Sequence, residues 1–142
     1  MEFKNELKQV VGDEIVQDDF LNIEYLKRMK ELPSGINAPS VAHIALNLGS
    51  ANENYDLFLE TLSKYCWKGM KKGDNKWLAR KVDSWWKNLK GRKYVYNPEE
   101  TAKVPNNSDI RMKLFFKVND GVSKPITLLL EDGEWRVETL SP

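Results

Sequence analysis

Residues 109–140 read DIRMKLFFKVNDGVSKPITLLLEDGEWRVETL, and this stretch decides the fold. Apolar and polar residues alternate along three runs, 109–118, 122–131 and 134–140, with turn-forming residues between them. Alternation with a period of two is typical of a β-strand that buries one face. The stretch therefore predicts a meander of three antiparallel strands joined by two short hairpins.

The first turn sets the register of the first two strands. A three-residue loop over 119–121 places Met112 opposite Leu128 and Leu114 opposite Ile126, so that each pair is apolar. A two-residue loop would instead set Lys113 against Leu128 and Arg111 against Leu130. Because a slip of one residue moves every side chain to the other face, the apolar pattern selects the longer loop.

The second turn needs only two residues, Asp132 and Gly133. Asp-Gly tolerates the positive φ angles that a tight hairpin requires. This turn places Leu128 opposite Val137, so the apolar face continues across the third strand. The residues predicted on that face are Ile110, Met112, Leu114, Ile126, Leu128, Leu130, Trp135 and Val137.

The opposite face of the predicted sheet is mostly charged, but three apolar residues interrupt it. By the same register Phe115, Pro125 and Leu140 lie side by side across three strands. A small apolar patch on a water-facing surface indicates a partner surface, here a second copy of the chain or another protein. The alternative is that the N-terminal residues cover the patch.

Ahead of this sheet, apolar residues recur every three or four positions, the spacing of helices that bury one face. One helix has Pro39 in its first turn and Gly49 at its end. Further helices are predicted over Tyr55–Cys66 and 74–90, followed by a short strand over 93–96. The predicted fold class is α+β, with N-terminal helices packed on a curved, C-terminal antiparallel β-meander.

The chain of 142 residues has the size of one domain. Residues 1–36 are polar and predict a helical N-terminal extension, whereas residues 37–142 predict a single cone-shaped unit. The sequence leaves open whether the extension docks on that unit.

The last hairpin resembles a motif of the nuclear-transport-factor-two-like superfamily, also called the cystatin-like cone. The match is to small bacterial members of unknown function, and it covers about residues 38–142. The earlier helical part is similar over Val41–Leu48 and Tyr55–Cys66. The hairpin residues that carry the resemblance are Leu128, Glu131, Asp132, Gly133, Trp135 and Val137.

The resemblance implies a cone with an apolar pocket between its sheet and its helices. Some members of the superfamily are isomerases, hydrolases or dehydratases, and many are non-catalytic binding or assembly domains. The fold alone does not settle the function. The pocket walls would come from Trp86, Tyr94, Tyr96, Met112 and Trp135.

The sequence shows few groups for catalysis. His43 is the only histidine, and no partner that would position it as a base is evident. Cys66 is the only cysteine and lies on an apolar helical stripe, which predicts a buried structural role. We therefore predict no catalytic residue, no metal site and no cofactor, and favour a protein that is not an enzyme.

Positive charge is concentrated in one segment. Residues 64–93 carry 11 basic and 2 acidic side chains, whereas the whole chain has a net charge of only +1. In the helix predicted over 74–90, Lys76, Arg80, Lys87 and Lys90 share one face. This face predicts either an ordinary solvated surface or a site for an anionic partner, of which nucleic acid is the less favoured.

We favour a non-catalytic binding or protein-interaction domain, with an unknown protein or a second copy of the chain as partner. The first alternative is a small-ligand binder or enzyme that uses the apolar cone pocket, and the second is an anion-binding module over 64–93. No apolar run is long enough to span a membrane. The chain as written predicts a cytoplasmic protein, and an exported form with a trimmed leader stays open.

Overall fold

A computed structural model describes residues 15–64, 66, 76–119 and 121–142, and the side chains of all of these except 76–79. Residues 1–14 of the predicted helical extension, and residues 65 and 67–75 of the predicted basic segment, lie outside the described residues. The described elements are a 3-10 helix Asp18–Leu21, α1 Ile23–Arg28, α2 Ala38–Ala51, α3 Tyr55–Glu60, α4 Lys76–Leu89, β1 Tyr94–Tyr96, α5 Pro98–Ala102, β2 Arg111–Val118, β3 Ser123–Glu131 and β4 Glu134–Leu140. The fold is α+β, as predicted, with most of its helices ahead of the sheet.

The central helix, α2, packs against the sheet and against the other helices. The Asn37 side chain begins it by accepting a hydrogen bond from the Ser40 backbone N–H at 3.0 Å. Its residues are buried on almost every side, so it lies inside the molecule and not on its surface.

The predicted end of α2 at Gly49 is wrong, because the helix continues to Ala51. Gly49 lies within the helix where α4 crosses it. A Cβ atom at Gly49 would lie 2.3 Å from Leu89 Cδ1 and 2.7 Å from Leu89 Cβ. The glycine is therefore explained by the close approach of two helices and not by a helix end.

The four strands form one antiparallel sheet in the order β1-β2-β3-β4. The predicted partners Met112–Leu128, Leu114–Ile126 and Leu128–Val137 are all confirmed. Asp132 and Gly133 have φ angles of 51° and 80°, which are the positive values that the two-residue turn requires.

The prediction that Leu140 lies on the outer face beside Phe115 and Pro125 is wrong. Val137 pairs with Leu128 and Leu140 pairs with Ile126, so β4 carries one extra residue between the two pairs. A β-bulge of this kind shifts the later side chains to the opposite face. Leu140 is consequently only 3% exposed and belongs to the core.

Other parts of the chain cover part of β4 and the stretch of β2 that the short strand β1 does not reach. Beyond β1, the Asn97 N–H donates to the Phe115 carbonyl at 2.8 Å, and the Asn107 side chain bonds both backbone groups of Lys113. Along β4, the Val137 backbone bonds Thr61 and Ser63 at 2.7 Å each. These contacts satisfy the strand edges that would otherwise pair with another chain.

Residues 15–36 share the core of the body. Val16, Phe20 and Leu26 are buried, and the Asn54 side chain donates to the Leu26 and Met29 carbonyls at 3.1 and 2.9 Å. The described part of the predicted extension is therefore docked. Among the described residues, no helix combines the length and the apolar character needed to cross a membrane.

Candidate ligand-binding pocket

A pocket of about 390 Å³ lies where residues 15–21, α2 and β1 meet. Most of its lining is apolar or aromatic, which is typical of sites for small ligands. The lining residues are Ile15, Val16, Asp18, Leu21, His43, Tyr94, Val95, Tyr96 and Pro98.

Apolar side chains at the rim of this pocket are accessible to water. Ile15, Leu21 and Val95 are 63%, 56% and 55% exposed. Large apolar residues scattered singly on a surface need no explanation, but three around one concavity indicate a place where something binds.

The inner wall of the pocket includes His43, which is only 8% exposed. The Asn47 side-chain amide lies 3.0 Å from Nδ1 of the ring and also donates to the His43 carbonyl at 2.9 Å. Since the carbonyl can only accept, the amide NH₂ group faces the ring and Nδ1 is the accepting nitrogen. The ring also interacts with the backbone of Phe20, and because Nδ1 accepts, Nε2 is the nitrogen that carries the ring proton.

Burial lowers the pKa of His43 from 6.5 to about 4, and the Phe20 contact opposes this shift only in part. The ring is therefore neutral near pH 7, with its proton fixed on Nε2. Because Nδ1 already accepts from Asn47 and Nε2 carries the proton, the imidazole has no free lone pair to take a proton from a substrate. The side chain of His43 therefore forms part of the pocket wall and does not act as a base.

The other wall includes two tyrosines of β1. Burial raises the pKa of Tyr94, and the nearby Arg92 guanidinium partly offsets the rise. The Tyr94 hydroxyl is buried and has no well-aligned hydrogen-bond partner among the described residues. The ring of Tyr96 packs on Phe116, with 5.2 Å between the ring centroids.

The structure brings together only two of the five residues predicted to line a pocket, namely Tyr94 and Tyr96. Trp86 packs instead on Tyr55 and Phe58, with ring centroids 4.9 Å away in each case. Met112 is buried in the core, and Trp135 is half-buried opposite Leu130. The hydrophobic core contains fully buried side chains such as Phe58, Leu114 and Phe116.

Sequence reasoning missed Ile15, Leu21 and Val95 as pocket residues. Their meeting depends on contacts between chain segments that are about 75 residues apart, and no local pattern reports such a contact. What marks these residues is that they are apolar side chains exposed on otherwise polar segments. That exposure becomes visible only after the fold is known.

The basic stripe of α4 is a solvated surface in its described part. Arg80, Lys87 and Lys90 are exposed, and Lys87 pairs with Asp83 at 3.1 Å. Lys76 begins the helix, but its side chain lies outside the described part. An i, i+4 pair of this kind is common on exposed helices and does not mark a site.

On the outer face of the sheet, Phe115 and Pro125 are direct partners and both are half-buried. A second cavity of about 350 Å³ lies between residues 104–107 and the side chains of Arg111, Lys113 and Thr127. The Glu138 carboxylate forms an ion pair with the Arg111 guanidinium, with 3.0 Å between the nitrogen and the oxygen. This cavity has mixed polarity and does not converge on one ligand chemistry.

A comparison of the chain with models of protein families, with curated proteins and with solved structures finds no match. Among the described residues there is also no group of three His, Cys, Asp or Glu side chains that could hold a metal ion. The pocket geometry is therefore the main guide to function.

Proposed function

We propose that this protein is a non-catalytic binding domain that holds a small apolar molecule in the pocket between residues 15–21, α2 and β1. The observation that carries the proposal is a concave apolar surface of about 390 Å³ whose rim side chains are exposed. Pockets of about 300–1,000 Å³ with mostly hydrophobic walls are the usual sites of small ligands.

The absence of catalysis is proposed from the state of the ionisable groups in the lining. His43 has no free lone pair to take up a proton, and burial raises the pKa of the Tyr94 hydroxyl, which favours its neutral form. Asp18 is exposed, so water can reach its carboxylate. General acid–base catalysis needs a group poised to exchange protons with the substrate, and the described lining supplies no such pair.

The first test uses an uncharged fluorescent probe, N-phenyl-1-naphthylamine, whose emission rises in apolar surroundings. We expect the full chain to bind it and the variant Val95→Glu to bind at least tenfold more weakly, because a carboxylate would stand in the apolar wall. Val95 is 55% exposed, so the fold should tolerate the change.

Val122→Glu is the matched control, since Val122 is 70% exposed and is not among the pocket residues. Equal binding by both variants would place the probe elsewhere and overturn the proposal. If the probe binds only after Phe3 and Leu7 are both changed to Ser, the ligand of the pocket would instead be the chain's own first residues.

Three expectations from the sequence stand as weaker proposals. Membership of the nuclear-transport-factor-two-like superfamily is supported by the helices-then-meander order and the last hairpin. Self-association through the sheet is supported by Phe115 and Pro125, without Leu140. Anion binding by α4 is supported by the exposure of Arg80, Lys87 and Lys90.

A further inference from the structure

We infer that the pocket selects an uncharged ligand with an apolar body of about two to three rings, and that it discriminates against anionic amphiphiles. This inference rests on the function proposed above and names the class of ligand for the same site. Its three supports are the volume, the charges of the lining and the small number of polar side chains in it.

The volume sets the size of the ligand. An apolar cavity of about 150 Å³ accommodates benzene. The pocket of about 390 Å³ is between two and three times larger. Two or three linked or fused rings therefore fill it, whereas a single ring would leave much of the wall without contacts.

The charges of the lining determine which sign of ligand charge is disfavoured. Among the described lining residues Asp18 is the only charged side chain, and no lysine or arginine joins it. His43 is neutral, because burial holds its pKa near 4. A carboxylate or sulfonate that enters this pocket would lose its hydration and would find no cationic side chain among the described lining residues. It would also be repelled by the Asp18 carboxylate. Both effects disfavour the binding of anions.

The polar groups set how specific the site can be. Nδ1 of His43 already accepts from Asn47, so the neutral ring offers a ligand no free lone pair. Because the described lining has few polar side chains, ligands are distinguished mainly by shape and charge. This is the reason that the ligand's charge is the property to test.

The test compares two probes that share one ring skeleton. N-phenyl-1-naphthylamine is uncharged, and 8-anilino-1-naphthalenesulfonate adds a single sulfonate to the same three rings. The readout is the ratio of the two dissociation constants at low ionic strength, where surface charges are least screened. We expect the uncharged probe to bind the unchanged protein at least tenfold more tightly.

The decisive variant is Asp18→Asn, with Asp19→Asn as its control. Both aspartates are exposed and adjacent, but only Asp18 lines the pocket. We expect Asp18→Asn to tighten binding of the sulfonate severalfold relative to the uncharged probe, whereas Asp19→Asn should change the ratio of the two dissociation constants less because its charge lies farther away.

The possible results separate the two levels of inference. If neither probe binds, the proposed function fails. Suppose instead that both probes bind, that Val95→Glu weakens the binding of both, and that Asp18→Asn leaves the ratio of their dissociation constants unchanged. The pocket then binds ligands as proposed, but the selection by charge is overturned. A sulfonate that binds more tightly than the uncharged probe overturns the selection as well.

Discussion

At the scale of single residues, His43 ties two segments of the chain together. Its Nδ1 accepts from Asn47 one turn later in the same helix, and its ring meets the Phe20 backbone in the N-terminal segment. A protonated ring could not accept from Asn47, and its charge would be buried. The neutral ring is therefore part of the folded structure, and its protonation should oppose folding.

We expect the free energy of unfolding to decrease as the pH falls from about 6.5 to about 4. The unfolded chain binds a proton at His43 with the ordinary pKa of 6.5, whereas the folded protein resists protonation until about 4. Over that window the unfolded state holds more protons, so stability is lost, and the loss levels off below the folded pKa. The full effect is on the order of 3 kcal/mol.

The measurement is urea denaturation of the protein and of His43→Gln at several pH values. Carboxylates titrate in both proteins and cancel in the difference of the two unfolding free energies. The advantage of the unchanged protein over the variant should shrink as the pH falls. A difference that stays constant between pH 7 and pH 4 would show that His43 is not held neutral by the fold.

At the scale of elements, the sequence predicted the strands better than the surfaces between helices. Alternation and turn chemistry predicted the pairing of Met112 with Leu128, because only that register sets the alternating apolar side chains of the two strands opposite one another. The bulge that turns Leu140 inward adjoins the contact of Val137 with residues 61–63 and left no local signal in the sequence. Gly49 was misinterpreted for the same reason, since its neighbour Leu89 is distant in sequence.

The crossing of α2 and α4 gives a prediction with an unusual sign. In an ordinary helix interior, replacing glycine by alanine stabilises by about 1 kcal/mol. At Gly49 the new methyl group would overlap both Cβ and Cδ1 of Leu89, and Cβ cannot move without its helix. We expect Gly49→Ala to destabilise the protein by about 1–3 kcal/mol.

Thermal or urea denaturation of Gly49→Ala tests this packing. Ala51→Gly, two residues farther along α2 and half-buried, is a useful companion because it shows the ordinary cost of glycine near the end of the same helix. If Gly49→Ala were as stable as the unchanged protein or more stable, the close approach of α2 and α4 would be refuted.

At the scale of the whole molecule, the N-terminal segment completes both the core and the pocket. Phe20 is 5% exposed and lies in the 3-10 helix, which also supplies Asp18 and Leu21 to the pocket. The Gln17 N–H donates to the Ser40 hydroxyl at 2.9 Å and joins the segment to the start of α2. The polarity of residues 1–36 pointed to an extension, and only the fold shows that residues 15–36 contribute to the core.

If residues 15–36 are part of one cooperative unit, losing the Phe20 side chain should weaken the entire fold. We expect Phe20→Ala to lower the free energy of unfolding by about 3–5 kcal/mol, the usual cost of removing a buried phenylalanine. Leu21→Ala, one residue later and 56% exposed, should cost much less. Urea denaturation followed by tryptophan fluorescence reports on the body, because all five tryptophans lie beyond residue 66. A midpoint that shifts equally little for both variants would mean that the segment adds little stability to the body, and the pocket would then have one loosely held wall.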